Sequence, residues 1–498
     1  MDISMRFYKK LQIMYIRLNP QYKVRNEKYC SYIIKLQQKL DTEIPDLSDL
    51  MMLVPPFIGY ILAHIGSENI VESIQNISSV LNVSSQSLIH FIQGILHSKP
   101  KKMNFFNKEV LFPQNLLINS KTQDTRIYHT DEDFLPTDRF IKKRPSIPLN
   151  LNFMVTTKCT TNCIYCYANK NLRDELTCAK IKEVLNECNK VGVINVSLTG
   201  GDIFARNDWK ELILSCVTLG YYPFLSTKTP LSFNDVRFLK NQHINEIQFS
   251  LDSLSDSILS SMINCSLSYL QKVKEMFVYC EKVGIKLIIR SVITTYNQSV
   301  DNFKKIFSFL VKFTNIQFWA ITPAFLSEFK KYKNFYPSNS NLSNIVKFVD
   351  NIDSPFPIYL NKLNSEGYKL KIFDNVEDFV NHNQICHADV YMMSILSNGI
   401  CTPCEMLYEN PDFIMGNIKK NSLVEIWNSN KALNLFMPKQ SSLRNTNSPC
   451  ATCATFDQCR KSMDRRICFV DVSKTSGSGC SAYPDPRCPK SANFNVIL

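Results

Sequence analysis

Three cysteines stand close together in the segment from Cys159 to Cys166, which also contains Cys163 and Tyr165. Their spacing, C-x3-C-x2-C, is expected by chance only about 0.02 times in a chain of this cysteine content. Three thiolates in one short loop can hold three irons of a [4Fe-4S] cluster and leave the fourth iron without a protein ligand. An open iron can coordinate a substrate or a cofactor. Packed cysteines without metal, or a zinc loop with a distant fourth ligand, are the alternatives.

A second group of cysteines lies near the C-terminus, where nine of the 18 cysteines fall between residues 386 and 498. The N-terminus lacks the clean apolar segment of a secretory signal peptide, so we expect a cytoplasmic, reducing compartment. Clustered cysteines in such a compartment bind metal more often than they form disulfides. The candidate metal ligands in this region are Cys386, Cys404, Cys450, Cys453, Cys459, Cys468, Cys480 and Cys488.

A zinc ribbon is the alternative for this region, with Cys401-x2-Cys404 paired to Cys450-x2-Cys453. It would leave four other cysteines of the region unexplained, namely Cys386, Cys459, Cys468 and Cys488. We therefore favour iron-sulfur clusters and treat Cys401 as a spare thiol.

The composition is that of a folded protein of about three domains, with 498 residues, 45% hydrophobic and 20% charged. The net charge is +13, but lysine and arginine are scattered without a run of five like charges, so we expect no nucleic-acid partner. The longest apolar run, residues 51–65, is interrupted by prolines and is shorter than the ~20 residues of a membrane span. We expect no membrane span.

Residues 1–105 are predicted to form a small winged-helix-like module. Apolar segments at 13–24 and 30–37 indicate strands, and apolar residues at helical spacing follow at 70–81 and 88–96. Residues 106–148 carry four prolines among charged residues and no sustained period, which predicts a linker.

Residues 149–325 alternate apolar runs with amphipathic stretches, which predicts an α/β fold in which parallel strands curl into a partial (β/α)6 barrel. Catalytic groups of such folds lie at the C-terminal ends of the strands, and the Cys159 loop directly follows the first run. Residues 326–385 are predicted to hold flanking helices, and residues 386–498 to form the cysteine-rich module. The six apolar runs are 152–157, 194–199, 223–226, 246–251, 285–293 and 316–321.

The cysteine loop resembles that of the radical S-adenosylmethionine (SAM) superfamily. The resemblance implies that Cys159, Cys163 and Cys166 hold a [4Fe-4S] cluster, whose open iron is chelated by the amine and carboxylate of SAM. It also implies that Tyr165, before the last cysteine, contacts the adenine.

The second strand ends in Gly200-Gly201-Asp202-Ile-Phe, which resembles the family's Gly-Gly-Glu-Pro segment. Glycines let the backbone approach a ligand closely, and a carboxylate can pair with an ammonium group. The resemblance implies that this segment binds the amino group of SAM.

The later strand ends supply three more candidate SAM-binding residues. Ser250 and Asp252 stand in a segment similar to the family's Ser-Leu-Asp strand, which implies that they lie near the ribose. Arg290 ends the fifth strand, and a surface salt bridge is the alternative for it. Ser226-Thr227-Lys228 departs from the family's Thr-Asn-Gly at the third strand.

The C-terminal cysteines resemble those of the SPASM domain, whose pattern is C-x(9-15)-G-x4-C, a gap, C-x2-C-x5-C-x3-C, a gap and C. The resemblance implies two auxiliary [4Fe-4S] clusters. Met463 stands where the pattern has a cysteine, so the second cluster could keep an open iron. The implied ligands are Cys450, Cys453, Cys459 and Cys488 for one cluster, and Cys386, Cys404 and either Cys468 or Cys480 for the other.

The N-terminal module resembles the peptide-recognition element of peptide-modifying radical SAM enzymes, at Leu18-Asn19-Pro20 and at residues 57–62. The resemblance implies that a leader peptide binds as an extra strand. A DNA-binding winged helix is the alternative, but residues 50–98 contain no lysine or arginine to contact phosphates.

Together these segments imply an enzyme that modifies a ribosomally made precursor peptide with a leader. Gly-Gly-Asp-Ile-Phe is similar to the segment of subtilosin-type sactipeptide maturases, which implies a sulfur-to-carbon thioether formed after hydrogen abstraction by a 5'-deoxyadenosyl radical. An external one-electron reductant of flavodoxin or ferredoxin type is implied as a partner. The alternatives are carbon-carbon crosslinking, another oxidation of a peptide or protein including sulfatase-type maturation, and a zinc-stabilised binding protein without enzymatic activity.

Overall fold

The computed structural model describes residues 15–36, 51–96, 99–105, 108–324, 335–361, 363, 365, 367, 372–443, 446–477 and 481–491. The described residues separate into two compact units, one up to Ser146 and one from Ile147 onward. In these ranges, no helix combines the length and the apolar character that a membrane crossing requires.

The first unit contains the predicted strands followed by helices. Strand β4 is at one end of the sheet β4-β3-β2-β8, and β1 pairs with β7 and β5 with β6. Helix α2 begins after Asn69, whose side chain accepts hydrogen bonds from two backbone N–H groups. The elements are β1 (Tyr15–Leu18), β2 (Tyr22–Glu27), β3 (Cys30–Lys35), β4 (Met51–Val54), α1 (Pro56–His64), α2 (Ile70–Leu81), α3 (Ser85–Ile95), β5 (Lys101–Phe105), β6 (Lys108–Phe112), β7 (Leu117–Ser120) and β8 (His129–Thr130).

The stretch expected to be a linker, residues 106–148, differs from that expectation because three strands of the first unit lie in it. Strand β7 pairs antiparallel with β1, and β8 pairs parallel with β2. Val110, Phe112, Leu116 and Leu117 are buried in the core of the unit. Strand β6 pairs with the neighbouring β5, but the partners of β7 and β8 lie about a hundred residues earlier, so no local pattern in the sequence indicates those two pairings.

The second unit begins with alternating strands and helices, which confirms the predicted α/β fold. Each predicted run overlaps a strand, although the run at 223–226 does so only at Ser226. The strands pair in parallel, as β10-β9 and as β11-β12-β13-β14-β15. The elements are β9 (Asn150–Thr156), α4 (Cys178–Val191), β10 (Asn195–Gly200), α5 (Trp209–Thr218), β11 (Ser226–Thr227), α6 (Phe233–Asn241), β12 (Glu246–Ser250), α7 (Asp256–Ile263), α8 (Tyr269–Val283), β13 (Lys286–Ile293), α9 (Val300–Leu310), β14 (Ile316–Pro323), α10 (Asn339–Asp350) and β15 (Ile358–Leu360).

Alternation along these strands separates the core from the face that carries polar side chains. On β13, Leu287 and Ile289 belong to the large core that the helices cover. Ile288 packs on the other face with Phe318, and Arg290 shares that face because side chains two residues apart point the same way.

The C-terminal part of the second unit extends the sheet that contains β9. Strand β16 pairs parallel with β9, and β17 and β18 continue the sheet in antiparallel order. The cysteine-rich segment is therefore joined to the first barrel strand by a shared sheet. Its elements are α11 (Val376–His382), β16 (Met392–Ile395), β17 (Ile400–Thr402), β18 (Gly416–Asn417), α12 (Leu423–Trp427), α13 (Asn430–Phe436), α14 (Phe456–Arg460) and α15 (Phe469–Ser476).

Candidate functional site

The cysteine loop follows β9 and is held against the end of helix α7. The backbone N–H groups of Asn162 and Ile164 each donate to a carbonyl oxygen at that end, those of Ile263 and Met262, at 2.9 Å. The N–H of Cys166 donates to the carbonyl oxygen of Cys163 at 3.2 Å, so the loop turns back on itself. These contacts with the barrel position the loop.

The three thiols of the loop lie close enough to influence one another. Burial, the Asp202 carboxylate and the other two thiols, Cys163 and Cys166, together raise the pKa of Cys159 to about 12. Such thiols keep their protons unless a metal displaces them. The arrangement fits a cluster held by Cys159, Cys163 and Cys166.

The two glycines at the end of β10 are required by the close approach of two backbones. Gly200 has φ +148°, and a Cβ there would lie 2.2 Å from the carbonyl oxygen of Thr156. A Cβ at Gly201 would lie 2.2 Å from the carbonyl oxygen of Lys158. The glycines therefore allow the end of β10 to pack against the start of the cysteine loop.

Asp202 is buried and links the ends of β10 and β11. Its Oδ2 accepts hydrogen bonds from the hydroxyls of Thr227 and Thr229, both at 2.7 Å. Its Oδ1 accepts from the N–H of Phe204 at 3.1 Å. In this structure the carboxylate expected to bind SAM already stabilises the junction between two strands.

Asp252 is fully buried and joins the cysteine loop to the strand ends. Its Oδ2 accepts hydrogen bonds from the hydroxyl of Tyr165 and from Lys228 Nζ, the latter at 2.8 Å. Its Oδ1 accepts from the N–H of Val292 at 2.9 Å. Burial acts to lower the pKa of Lys228, but the Asp252 carboxylate raises it above its usual value. The departure from the family at Lys228 thus supplies a buried cation beside Tyr165.

Ser250 and Arg290 lie at paired positions of β12 and β13. The Ser250 hydroxyl accepts from Gln248 Nε2 at 3.1 Å. Burial lowers the pKa of Arg290, and its Nε has no hydrogen-bond partner among the residues that the structure describes. The alternative of a surface salt bridge is wrong for Arg290, because its guanidinium is largely buried without an ion pair in those residues.

A half-buried carboxylic acid that the sequence analysis did not single out connects the barrel to the C-terminal segment. Glu405 directly follows Cys404, and its Oε2 accepts from the hydroxyl of Thr199 at 3.0 Å. Its Oε1 accepts from the hydroxyl of Tyr167 at 3.3 Å. Burial raises the pKa of Glu405, although both hydrogen bonds oppose the shift. Its position directly after a candidate ligand was the only sequence signal.

Four of the C-terminal cysteines line one cavity, together with Phe379, Arg460 and Lys490. Burial raises the pKa of Cys459 to about 12. Burial also acts to raise the pKa of Cys453, but hydrogen bonds from Thr455 and the charge of Lys490 bring it below its usual value. Four thiols around one cavity fit the first auxiliary cluster. These cysteines are Cys450, Cys453, Cys459 and Cys488.

A second group is formed by Cys386, Cys404 and Cys468. Burial raises the pKa of Cys404 to about 12, and the Cys386 thiol adds to the shift. The pKa of Cys468 is raised by burial and, among other charges, by Cys386. Cys480 lies outside the described residues. Met463 is buried.

Cys401 lies apart from both groups. It lies on β17 and is fully buried in the core, and its Sγ lies 3.7 Å from the carbonyl oxygen of Gly399. Cys404 packs in a different apolar cluster. Cys450 and Cys453 line the cavity with Cys459 and Cys488, and neither Cys401 nor Cys404 is among its lining residues. The zinc ribbon that pairs Cys401 and Cys404 with Cys450 and Cys453 is therefore wrong.

Comparisons with known proteins agree with this geometry. The model of the radical SAM superfamily matches residues 153–310, and that of the SPASM iron-sulfur cluster-binding domain matches residues 386–454. The fold resembles the crystal structure of Streptococcus suis SuiB bound to precursor peptide SuiA, with a TM-score of 0.62 and 16% identity over 95% of this chain and 100% of that chain. SuiB bound to S-adenosylmethionine gives a TM-score of 0.58 with 16% identity and the same coverage. At this identity the likeness concerns the fold. The chain therefore contains a radical SAM domain and a SPASM domain.

Proposed function

We propose that this enzyme modifies a ribosomally made precursor peptide by joining a cysteine sulfur to a carbon atom of the same peptide. The cofactors are SAM and three [4Fe-4S] clusters, one on the Cys159 loop and two in the C-terminal module. An external one-electron reductant of flavodoxin or ferredoxin type starts the reaction.

The observation that carries the proposal is the pair of hydrogen bonds that Glu405 accepts from the hydroxyls of Thr199 and Tyr167. Glu405 touches Tyr167, which follows the cluster ligand Cys166, and it follows the auxiliary ligand Cys404. A substrate at the C-terminal ends of the strands would therefore lie between the site of radical formation and an electron acceptor.

Thioether formation requires acceptors for the two hydrogen atoms that the peptide loses. The peptide loses two hydrogen atoms, one from carbon and one from the thiol. When bound, SAM and the clusters supply the radical that removes the carbon-bound hydrogen atom and the acceptor for the remaining electron. We propose that the Glu405 carboxylate accepts the thiol proton.

We propose that the candidate SAM-binding residues at the strand ends form one site beside the cysteine loop. Arg290 suits the SAM carboxylate, because a buried guanidinium with an unpartnered Nε gains most from an anion. We propose that the other contacts come from the loop tyrosine and from the ends of β10 and β12. These residues are Tyr165, Gly200, Gly201, Asp202, Ser250 and Asp252.

The first unit supplies the proposed site for the leader of the peptide. Strand β4 ends its sheet, and β3 is its only partner among the described strands. Such an edge offers unpaired backbone donors and acceptors to an added strand. The structure of SuiB bound to a precursor peptide supports a peptide as the substrate of this enzyme.

Mass spectrometry of a precursor peptide treated without oxygen with enzyme, SAM and reductant tests the proposal. A thioether product is lighter by two hydrogen atoms per crosslink and no longer reacts with a thiol-alkylating reagent. A product that has lost the same hydrogen atoms but is still alkylated at every cysteine would contradict thioether formation. It would indicate carbon-carbon crosslinking instead. An unchanged peptide mass would exclude both.

A further inference from the structure

Two arginine side chains are buried beside the C-terminal cysteines. Arg460 is 5% exposed and Arg465 is 0% exposed. Arg460 Nη1 donates to the carbonyl oxygen of Ser481 at 3.0 Å, and its Nη2 lies 3.8 Å from Cys450 Sγ. Neither arginine forms an ion pair with a carboxylate in the part of the chain that the structure describes.

Arg465 lies between the two groups of cysteines. Its guanidinium donates to the carbonyl oxygens of Leu435, at 3.3 Å, and Ala388. Its own carbonyl oxygen accepts from the N–H of Cys386 at 2.8 Å. Burial lowers its pKa, while the charges of Asp389, Cys386 and Cys459 act in the opposite direction. The guanidinium therefore lies within electrostatic range of one thiol from each group, Cys386 and Cys459.

The four-cysteine cavity carries an excess of positive charge. Arg460 and Lys490 both line it. Asp485 also lines it, but its Oδ2 accepts from Arg487 Nη2 at 2.7 Å, so its charge is already paired. A buried cation without a counter-charge costs several kcal/mol. An anion bound in the cavity would remove that cost, and a [4Fe-4S] cluster on thiolates is such an anion.

We propose that Arg460 and Arg465 are the buried counter-charges of the auxiliary clusters and raise their reduction potentials. Reduction adds a negative charge to a cluster, and a nearby cation stabilises the reduced form. Hydrogen bonds to the sulfur ligands act in the same direction. With the two positioning residues in place, the auxiliary clusters accept an electron more readily than they would without these cations. The inference rests on the proposed function, because it requires clusters on these cysteines.

The test is an anaerobic redox titration of the full chain, followed by electron paramagnetic resonance. Replacing Cys159, Cys163 and Cys166 by alanine in every sample leaves only the auxiliary clusters. Arg460→Gln removes the charge and keeps an N–H donor, whereas Arg460→Lys keeps the charge. Lys461→Gln is the control, since Lys461 is a neighbouring cation already paired with Asp457 at 2.6 Å.

Arg460→Gln is expected to lower the potential of one auxiliary cluster so that its reduced-to-oxidised ratio at a fixed potential falls about tenfold, which is ~59 mV for one electron. Arg460→Lys and Lys461→Gln should titrate like the parent. Arg465→Gln should lower the potentials of both clusters. Loss of a cluster from Arg460→Gln and its retention in Arg460→Lys would also support the inference, because the positive charge would then be what stabilises the cluster.

Unchanged potentials in both glutamine variants, or equal shifts in Arg460→Gln and Arg460→Lys, would overturn the inference. Iron analysis separates this failure from failure of the proposed function. If the parent sample holds no auxiliary iron, the proposed cofactor set is wrong and the inference falls with it. If the iron is present and the potentials do not respond, only the inference is wrong.

Discussion

The hydroxyl group of Thr199 donates a hydrogen bond to Glu405 Oε2 at 3.0 Å. This contact joins the end of β10, beside the loop that holds Cys159, to the residue that follows Cys404. Glu405 therefore joins the strand end beside the Cys159 loop to the C-terminal segment that contains Cys404.

Glu405→Gln should abolish most peptide modification while SAM cleavage without product continues. Loss of a proton acceptor costs about 100-fold or more in rate. Product and 5'-deoxyadenosine are quantified in the same reaction. Glu409→Gln is the matched control, because Glu409 is exposed and bonds Asn398 at 2.7 Å. Equal product from both variants would remove Glu405 from the mechanism.

Cys459→Ala should lose one cluster, roughly four irons per chain, because its thiol lines the four-cysteine cavity. Cys401→Ala should keep all its iron and lose about 1 kcal/mol of stability, because Cys401 is packed in the core. Iron analysis and thermal unfolding measure the two effects. Loss of iron from Cys401→Ala would contradict the assignment of Cys401 to the core.

Gly201→Ala should destabilise the start of the cysteine loop by about 3 kcal/mol, because its Cβ would overlap the carbonyl oxygen of Lys158. Gly220→Ala is the control, since Gly220 has φ +78° and open space around it, and it should cost about 1 kcal/mol. Denaturant unfolding and the iron content of the loop cluster are compared. Equal effects would mean that the contact with Lys158 is unimportant.

Proline substitutions in β4 test the proposed leader site. Successive residues of a strand point their N–H groups to opposite edges. One of Met52→Pro and Leu53→Pro therefore removes a donor from the outer edge, and the other breaks the pairing with β3. We expect weaker leader binding in both variants. We expect a lower melting temperature mainly in the variant whose proline breaks the pairing with β3. Unchanged leader affinity in both variants would place the leader elsewhere.

The sequence was most informative where short spacing or a continuous apolar run carries the signal. The Cys450, Cys453 and Cys459 spacing is compact enough to indicate a shared site, and the structure brings those thiols to one cavity. The barrel strands were predicted because strands buried on both faces are continuous apolar runs.

Features that depend on distant partners were not predictable. Strand β16 pairs with β9 across more than two hundred residues, and neither sequence announces the pairing. Glu405 is a single carboxylate that belongs to no sequence motif. Its hydrogen-bond partners, Thr199 and Tyr167, are more than two hundred residues away in the chain. The glycines of β10 were predicted for ligand approach, yet the structure shows that packing against the cysteine loop already requires them.

Transfer of deuterium from the peptide to 5'-deoxyadenosine tests the central claim most directly. A fully deuterated precursor peptide is incubated without oxygen with enzyme, SAM and reductant, and the nucleoside is analysed by mass spectrometry. The account predicts deuterated 5'-deoxyadenosine from the parent enzyme and none from the variant in which Cys159, Cys163 and Cys166 are alanine. Modified peptide accompanied only by undeuterated nucleoside, or normal SAM cleavage by the triple variant, would contradict it.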